Sequence, residues 1–508
     1  MAVLIAPKSP ADIAVRDFKM LIDGEWVAAA SGRMLERIAP GHGVPVSRYP
    51  EGSHIDAEHA IAAAKQSFDT GIWNSKTGAE RSNILLKIAD MIEKRAEELS
   101  FWDAVEAGKP ISQVRGEIAG AVDIWRYAAA LARDLHGESY NTLGDGTLGV
   151  VLREAIGVVS MITPWNFPFL IISQKLPFAL AAGCSCVVKP SEMTSGSTLI
   201  LGEILIEAGV PAGVVNIITG TGAGAGALLS THADVDMVSF TGSTGVGRLI
   251  MANAAQTLKK VSLELGGKNP QIVFPDADLD AFIDAAVFGA YFNAGECCNA
   301  GSRLILHKDI ADDVISRIID LTKKVKLGDP LDPQTQVGAI ISQQHLEKIK
   351  TYISGAKADG AALSVGGGTV DFDCGQYMEL TLLSGVTPDM AVAREEVFGP
   401  VLSVLTFETA EEAIHIANSI DYGLSASVWS RDFDTCLTVG RKVRSGTIWM
   451  NTFMDGASEL PFGGYKQSGQ GRELGRHAVE DYTETKTLNM HIGSRKTHWV
   501  RGGSAAEE

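Results

Sequence analysis

The sequence has comparatively few basic residues, and this shortage excludes one large class of function. Its 44 Lys and Arg residues are outnumbered by 61 Asp and Glu residues, which gives a formal net charge of −17. A chain this acidic is a poor candidate for nucleic-acid binding, because phosphate backbones attract clustered Lys and Arg side chains. We therefore expect no nucleic acid among its partners.

Long hydrophobic runs and densely spaced cysteines are also missing. No apolar stretch approaches the roughly 20 residues of a membrane span, and the apolar run at residues 3–6 is shorter than the about 7–15 residues of a secretory signal. The six cysteines of this 508-residue chain have neither the density of a disulfide framework nor the spacing of a zinc site. We predict a reduced, cytoplasmic protein with no membrane partner and no metal.

What the sequence has in abundance is glycine, with 54 residues and no collagen-like triplet period. Short β-branched runs alternate with longer amphipathic stretches, which is typical of βαβ units around a parallel sheet. The runs that we predict to be strands are 157–163, 185–189, 214–219, 235–241, 272–274, 303–307, 401–407, 426–430 and 447–451. The predicted helices include 79–98, 194–208, 310–325 and 343–358. The pattern predicts a doubly wound α/β architecture, and the length predicts two or three domains.

Two segments interrupt this alternation. Residues 137–156 contain the turn Gly144-Asp145-Gly146 between alternating runs, which predicts a β-hairpin. Residues 483–492 alternate polar and apolar side chains and predict a late strand. Because an isolated hairpin is only marginally stable, we expect this element to pack within the chain or to pair with another subunit.

Two adjacent cysteines, Cys297 and Cys298, lie in a polar loop with Gly295 and Gly301 at its ends. A reactive thiol needs thiolate character and room for a substrate to approach, which flanking glycines provide. The alternative is that both thiols are small, inert core groups. Since neighbouring side chains point in different directions, we expect one of the two to face a cleft.

Two further polar residues stand next to predicted strands. Glu264 interrupts an apolar strand just before paired glycines, and a carboxyl group in apolar surroundings can act as a general base. Alternatively, it is an edge-strand residue in solvent. Asn166 lies between two prolines after a buried strand, where its amide is either an oxyanion donor or part of a rigid turn.

A possible cofactor site follows the predicted strand at 235–241. There the glycines Gly242, Gly245 and Gly247 lead into a helix, and backbone amides at such a helix start suit a pyrophosphate. Their spacing, G-x-x-G-x-G, differs from the standard dinucleotide pattern. An earlier strand ends in Lys189-Pro190-Ser191-Glu192, and Glu192 could bond a ribose diol as acidic residues do in dinucleotide folds.

Taken together, these segments resemble the NAD(P)-dependent aldehyde dehydrogenase superfamily. Seven motifs occur in the order of that family between about residues 160 and 470, and the similarity in layout covers nearly the whole chain. They are PWNFP at 164–168, KPSE at 189–192, FTGST at 240–244, LELGGK at 263–268, GECC at 295–298, EVFGPV at 396–401 and PFGGYK at 461–466.

The resemblance implies a mechanism and a role for each motif. Cys298 matches the family nucleophile and Cys297 does not; Asn166 holds the oxyanion, Glu264 activates the water that hydrolyses the thioester, and Lys175 supports proton transfer. The cofactor, NAD, is implied to contact Ile162, Thr163, Trp165, Lys189, Glu192, Gly222, Gly242, Ser243, Thr244, Gly245, Val246, Gly247, Leu265, Glu396 and Phe398. The aldehyde pocket is implied to include Phe167, Gln174, Phe292, Gly456 and Phe462.

The resemblance also predicts specificity and organisation. Glu192 would repel a 2′-phosphate and so favours NAD over NADP; Gln174 favours a polar or hydroxylated aldehyde, with betaine-aldehyde-like and broad-range substrates as alternatives, and a non-catalytic relative is a further alternative. We expect a homodimer or homotetramer. The predicted parts are an N-terminal tail at 1–16, an NAD-binding domain at 17–136 and 157–266, a catalytic domain at 267–478, a bridging β element at 137–156 and 479–501, and a C-terminal tail at 502–508.

Overall fold

The described residues form two large β-sheets, and buried β-branched runs form the central strands of the first, which is mixed. The computed structural model describes residues 2–8, 14–493, 497–498 and 503–504. The first sheet has eight strands, and its five central strands are parallel. In spatial order its strands are Gly469–Gln470, Lys260–Glu264, Met237–Thr241, Val158–Ile162, Ser185–Lys189, Val215–Ile217, Met20–Ile22 and Glu25–Val27.

The second sheet has seven strands, six of them parallel. In spatial order they are Ala362–Val365, Thr381–Ser384, Val401–Phe407, Arg303–His307, Pro270–Val273, Ser425–Trp429 and Thr447–Met450. Each sheet has its own apolar core with helices packed against it. The predicted α/β architecture with parallel sheets is therefore confirmed.

Half of the sixteen α-helices in the described residues begin after a residue whose side chain caps the first turn, as Ser53 and Thr77 do with reciprocal capping boxes. The helices are His54–Asp69, Gly78–Lys94, Ala96–Ala107, Ile111–Asp134, Pro168–Ser173, Leu176–Ala182, Gly196–Ala208, Ala227–Thr231, Thr244–Ala254, Leu279–Tyr291, Lys308–Thr322, Gln343–Ala358, Ala391–Arg394, Ala410–Asn418, Phe433–Lys442 and Gly475–Asp481. The helix predicted at 79–98 is interrupted at Arg95, which has non-helical backbone angles and pairs with Glu203 of another helix. Within the described ranges, no helix is long and apolar enough to cross a bilayer.

The two segments that interrupt the α/β alternation pair with each other. The hairpin strands Glu138–Tyr140 and Thr147–Ala155 form a three-stranded antiparallel sheet with Thr483–His491, in continuous register from Thr483 opposite Ala155 to His491 opposite Thr147. Beyond Thr483 the late strand is exposed along its length. Residues 494–496 and 499–501 of the predicted bridging element, and residues 502 and 505–508 of the predicted tail, lie outside the described residues.

Short strands connect parts of the chain that the predicted domain boundaries separate. Val3–Ile5, within the predicted N-terminal tail, pairs with Lys326–Gly328, and Gly469–Gln470, within the predicted catalytic domain, adds to the first sheet beside Glu264. Two- and three-residue strands carry no periodicity that a sequence pattern could reveal. The remaining short strands are Arg16–Asp17, Met34–Ile38, Pro45–Pro50, Thr369–Val370, Tyr377–Met378, Tyr422–Gly423, Tyr465–Lys466, Thr497–His498 and Gly503–Ser504.

Candidate active site

The carboxyl ends of three adjacent parallel strands of the first sheet open into a cavity of about 230 Å³. Glu264 ends one strand, and Gly242 and Asn166 follow the next two; the fourth strand, which ends at Lys189, lies beside them but does not line the cavity. The second sheet supplies the opposite wall through Cys298 and Glu396. The lining residues are Pro164, Trp165, Asn166, Ile171, Thr241, Gly242, Ser243, Glu264, Leu265, Gly266, Cys298, His345, Lys348, Glu396 and Phe398.

The two adjacent cysteines occupy different environments. Cys298 lies on the cavity wall, whereas Cys297 is buried in a small apolar cluster with Phe167 and Ile171. The Cys298 backbone carbonyl accepts a hydrogen bond of 2.7 Å from Asn269 Nδ2, which fixes the loop. Cys298 is therefore the thiol of the pair that lines the cavity.

Three effects keep a proton on the Cys298 thiol in the protein alone. Its pKa is raised well above the usual range, first by a hydrogen bond with the Cys297 thiol, then by burial, and finally by the carboxylates of Glu396 and Glu264. Since the thiolate is the nucleophilic form, the arrangement can perform thiol chemistry once this proton is removed.

Asn166 is held at both its backbone and its side chain. Its backbone carbonyl accepts hydrogen bonds from Lys109 Nζ at 2.9 Å and from Asn293 Nδ2 at 3.1 Å. Its side-chain Nδ2 donates to the Glu296 carbonyl at 3.0 Å. An amide nitrogen carries two hydrogens, so one N–H remains for a ligand in the cavity that Asn166 lines.

Glu264 is buried, and neither of its carboxylate oxygens has a hydrogen-bond partner among the described residues. Burial raises its pKa well above the usual range, the carboxylate of Glu473 raises it further, and Lys175 and Arg472 oppose the shift. A side chain at Gly463 would approach Glu264 Oε1 to 2.7 Å, so glycine makes room for the carboxyl group. The alternative of a solvent-exposed edge residue is wrong.

Lys175 forms a buried ion pair with Glu473, a residue that the sequence did not predict. Its Nζ donates to Glu473 Oε1 at 2.5 Å and to Ser239 Oγ at 3.0 Å, and both ends of this ion pair are buried. Glu473 stands in a charged, glycine-rich segment that suggests a surface loop, and its partner Lys175 is 298 residues away. No local pattern could have paired them.

The predicted cofactor residues divide into two groups. Trp165, Gly242, Ser243, Leu265, Glu396 and Phe398 line the cavity. The others lie outside its wall: Ile162, Thr163, Lys189, Glu192, Gly222, Thr244, Gly245, Val246 and Gly247. Their surroundings leave room for a polar ligand. A Cβ atom built at Gly222 or Gly245 would have no described atom within 4 Å apart from its chain neighbours and its own helix backbone, and the buried Thr163 Oγ1 has no partner within the described chain.

Lys189 and Glu192 lie beside each other outside the cavity wall. Lys189 Nζ is 3.8 Å from Glu192 Oε2 and donates to the carbonyls of Pro190 and Gly220, each at 2.8 Å. Burial lowers the Lys189 pKa to about 8, while Glu192 raises it. A carboxylate and an ammonium side by side can bond a ribose diol.

An aromatic cluster forms the wall beside Glu396. The Trp165 ring meets the rings of Phe398 and His345 edge-on, with centroids 5.3 and 5.6 Å apart. His345 Nε2 bonds the Phe398 carbonyl at 2.6 Å. The Glu396 carboxylate accepts from the Gly267 amide at 3.0 Å, and burial raises its pKa to about 7. His345, in an ordinary amphipathic helix, was not predicted.

None of the five residues predicted for the aldehyde pocket lines this cavity, and their surroundings combine stacked rings with open space. Phe167 and Phe292 are stacked with centroids 6.1 Å apart. The half-buried Gln174 side-chain amide makes no hydrogen bond to other described protein groups, and no described atom lies within 4 Å of a side chain built at Gly456. Phe462 is joined to Glu473 by two backbone hydrogen bonds. The described residues contain no cluster of three or more His, Cys, Asp or Glu suited to a metal ion.

Comparisons with known proteins agree on one family. The model of the aldehyde dehydrogenase family matches residues 26–488. Aldehyde dehydrogenase family 2 member C4 of Arabidopsis thaliana is 43% identical over 476 residues, which cover 93% of this chain and 95% of that protein.

Solved structures are similar over almost their whole length. An NAD-dependent aldehyde dehydrogenase from Sinorhizobium meliloti superposes with a TM-score of 0.96 at 49% identity, covering 98% of this chain and 99% of that one. Betaine aldehyde dehydrogenase from Staphylococcus aureus, solved in complex with NAD+, superposes with a TM-score of 0.93 at 40% identity, covering 95% and 96%.

Proposed function

The chain belongs to the aldehyde dehydrogenase family, and on that premise we propose that it oxidises an aldehyde to the carboxylic acid with NAD as its cofactor. The resemblance seen in the motifs is confirmed. The observation that carries the proposal is that Cys298, Asn166 and Glu264 line one cavity although they come from three separate parts of the chain.

In the first half of the reaction, the Cys298 thiol loses its proton to water in the cavity, and the resulting thiolate attacks the aldehyde carbon and forms a thiohemiacetal. Negative charge then develops on the former carbonyl oxygen, where the free N–H of Asn166 Nδ2 and the Cys298 backbone amide stabilise it. The hydrogen bonds that hold Asn166 at both ends keep this donor oriented before the charge appears. Oxidation leaves a thioester on Cys298.

The cofactor would extend from Glu192 to Glu396 across the carboxyl ends of the first sheet's strands. Lys189 and Glu192 would hold the ribose of the adenine half, residues 242–247 the pyrophosphate, and Glu396 and Phe398 the nicotinamide half. When bound, NAD supplies the hydride acceptor. Because the Glu192 carboxylate would repel a 2′-phosphate, we expect a higher kcat/KM with NAD than with NADP; a preference for NADP would contradict this assignment.

In the second half, Glu264 takes a proton from water as the water attacks the thioester, and the Cys298 thiolate leaves. A carboxylate without hydrogen-bond partners has a raised proton affinity and is well suited to this step. By resemblance we assign Lys175 to the support of proton transfer near this base. Its ammonium and the Glu473 carboxylate act on Glu264 electrostatically, the first lowering and the second raising the Glu264 pKa.

For the substrate, we propose a polar or hydroxylated aldehyde. The support is the Gln174 side-chain amide, which lacks a protein partner among the described residues and would be satisfied by a substrate hydroxyl. Gln174→Leu removes this group and should lower kcat/KM for hydroxyaldehydes by about 3–10-fold, the value of one hydrogen bond, while leaving apolar aldehydes unaffected. Equal losses for both would contradict the contact.

A trimethylammonium aldehyde is a second candidate, for which Phe167 and Phe292 supply aromatic rings, although the Lys109 ammonium already lies 3.9 Å from the Phe167 ring centroid. A cation needs aromatic faces around it, and the open space at Gly456 leaves one side without a ring. A panel of aldehydes followed by NADH absorbance separates the candidates. A flat trace across the whole panel would contradict the proposed activity and favour a non-catalytic relative.

We further propose that the protein assembles as a homodimer or homotetramer in the cytoplasm. The support for assembly is the exposed late strand, whose Leu488, Met490 and Ile492 region is apolar, because an uncovered sheet edge tends to pair. Deleting residues 483–508 should cause dissociation or aggregation, and an unchanged mass by light scattering would contradict the assignment. All six cysteines are free, which fits a reducing compartment; cell fractionation tests that location.

A further inference from the structure

Lys109 is a buried cation just outside the cavity. It follows Gly108, which ends the helix Ala96–Ala107, and precedes the long helix Ile111–Asp134. Its side chain is 1% exposed. A buried ammonium is costly unless it is paired and hydrogen-bonded, so its partners indicate what it is for.

Three partners surround the Lys109 ammonium. Nζ lies 2.8 Å from Glu117 Oε2 on the following helix, 2.9 Å from the backbone carbonyl of Asn166, and 3.9 Å from the centroid of the Phe167 ring. Two of these partners, Asn166 and Phe167, are consecutive residues of the loop that lines the cavity. Glu117 thus forms an ion pair with the ammonium, and the ammonium in turn hydrogen-bonds and packs against that loop.

The same carbonyl of Asn166 is also bonded to the loop that leads to Cys298. Asn293 Nδ2 donates to it at 3.1 Å and also to the Glu296 carbonyl at 3.0 Å, the acceptor that Asn166 Nδ2 uses. Asn293 and Ala294 have φ angles of 51° and 54°, a conformation that L-residues avoid and that the surroundings must maintain. These contacts fix the side-chain amide of Asn166 relative to the loop that carries Cys298.

We propose that Lys109 and Glu117 are positioning residues that orient Asn166 for oxyanion stabilisation. The inference rests on the proposed role of Asn166. A buried ion pair is weak evidence for stability, because apolar replacements of similar volume are often neutral or stabilising. The Lys109 ammonium instead bonds the backbone carbonyl of Asn166 and so fixes the position of the proposed oxyanion donor. Catalytic rates depend steeply on such positions.

The test replaces both charges at once, so that neither is left buried without its partner. In Lys109→Met/Glu117→Met, the rate constant of the first-turnover NADH burst should fall by about 10–100-fold, the effect of a misplaced catalytic group. Alkylation of Cys298 by iodoacetamide, which involves no aldehyde oxyanion, should keep its rate. An unchanged burst, or an equal loss in both reactions, would overturn the inference.

A double-mutant cycle separates positioning from general destabilisation. In an Asn166→Ala background, the pair variant should cause little further loss of burst rate, because the group that it positions is gone; additive losses would overturn the inference. Arg81→Met provides a control, since this buried Arg81 bonds only the carbonyls of Ala181 and Lys76 in the described chain. It should lower the melting temperature without slowing the burst.

Two further measurements distinguish failure of the positioning role from failure of the proposed function. Glu117→Gln retains an acceptor for the Lys109 ammonium and should retain most of the burst rate; a loss as large as that of the pair variant would contradict the hydrogen-bonding role, even if the pair variant fails to fold. If the wild-type protein forms no NADH with any aldehyde, the proposed function fails. If it does and the pair variant matches it, the positioning role alone fails.

Discussion

Two parts of the cavity wall hold their polar groups in opposite ways: a fixed side around Asn166 and a free side around Glu264. On the fixed side, the backbone carbonyl of Asn166 accepts two hydrogen bonds and its side-chain amide donates a third. On the free side, Glu264 is equally buried, and neither of its oxygens accepts a hydrogen bond from the described residues. A donor for developing charge gains from being fixed, whereas a base gains from keeping its lone pairs free for a proton.

This difference divides the proposed reaction into two halves with different requirements. Formation and oxidation of the thiohemiacetal depend on geometry around Asn166, while hydrolysis of the thioester depends on the proton affinity of Glu264. Substitutions on one side should therefore affect one half of the reaction more than the other.

The largest effect should come from the thiol that both halves share. Cys298→Ser should abolish the NADH burst and steady-state turnover together, because a hydroxyl ionises far less readily than a thiol. Cys297→Ser is the matched control and should change either quantity only modestly. Mass spectrometry of protein quenched during turnover checks the assignment, and an acyl group on Cys297 would refute it.

On the fixed side, Asn166→Ala removes the oxyanion donor. We expect the burst rate constant to fall by about 10²–10³-fold, as for other donors of this kind. Asn216→Ala is the control. It removes another buried amide, which bonds the Gly213 carbonyl and does not line the cavity, and it should affect stability without slowing the burst. Equal slowing by both variants would show that the effect is structural.

On the free side, Lys175→Met should move the pH dependence of turnover. The Lys175 ammonium lowers the pKa of both Glu264 and Glu473, so its removal raises both values and a higher pH is needed to ionise the base. Turnover should fall near pH 7 and recover in part as pH rises. Lys175→Arg keeps the charge and should keep the profile; an unshifted acidic limb in Lys175→Met would exclude this role.

The smallest effect concerns stability. The folded-state pKa of Glu264 is raised above its unfolded value, so the folded protein binds the extra proton and loses stability as pH rises from the unfolded pKa toward the folded one. Glu264→Gln lacks this penalty and should be stabilised by about 1–3 kcal/mol at alkaline pH, with a smaller gain near pH 5. Thermal melts of both proteins at the two pH values check the sign.

The sequence predicts the fold best where a strand or helix is long and its side chains are either continuously buried or strongly periodic. The strand at 185–189 and the helix at 343–358 have the predicted bounds because their burial patterns extend over the whole element. The strand Gly469–Gln470 could not be predicted from the sequence, because two residues are too few to show a periodic pattern of burial. Its pairing beside Glu264 places the base inside the sheet instead of at its edge.

The same distinction applies to the site. Cys298, Glu264 and Asn166 stand out locally, as polar residues beside glycines, prolines or apolar runs. Glu473 and Glu117 do not, because their importance comes from one partner each, Lys175 and Lys109, that only the fold brings within hydrogen-bond distance. Charged residues in helices and loops are ordinarily read as solvent-exposed.

The most direct measurement follows one good aldehyde after rapid mixing with Glu264→Gln protein and NAD. If Glu264 serves hydrolysis, a stoichiometric burst of NADH should survive, the acyl group should accumulate on Cys298, and steady-state turnover should fall by about 10²–10⁴-fold. Normal turnover, or loss of the burst together with turnover, would contradict the division of the reaction between the two sides of the cavity.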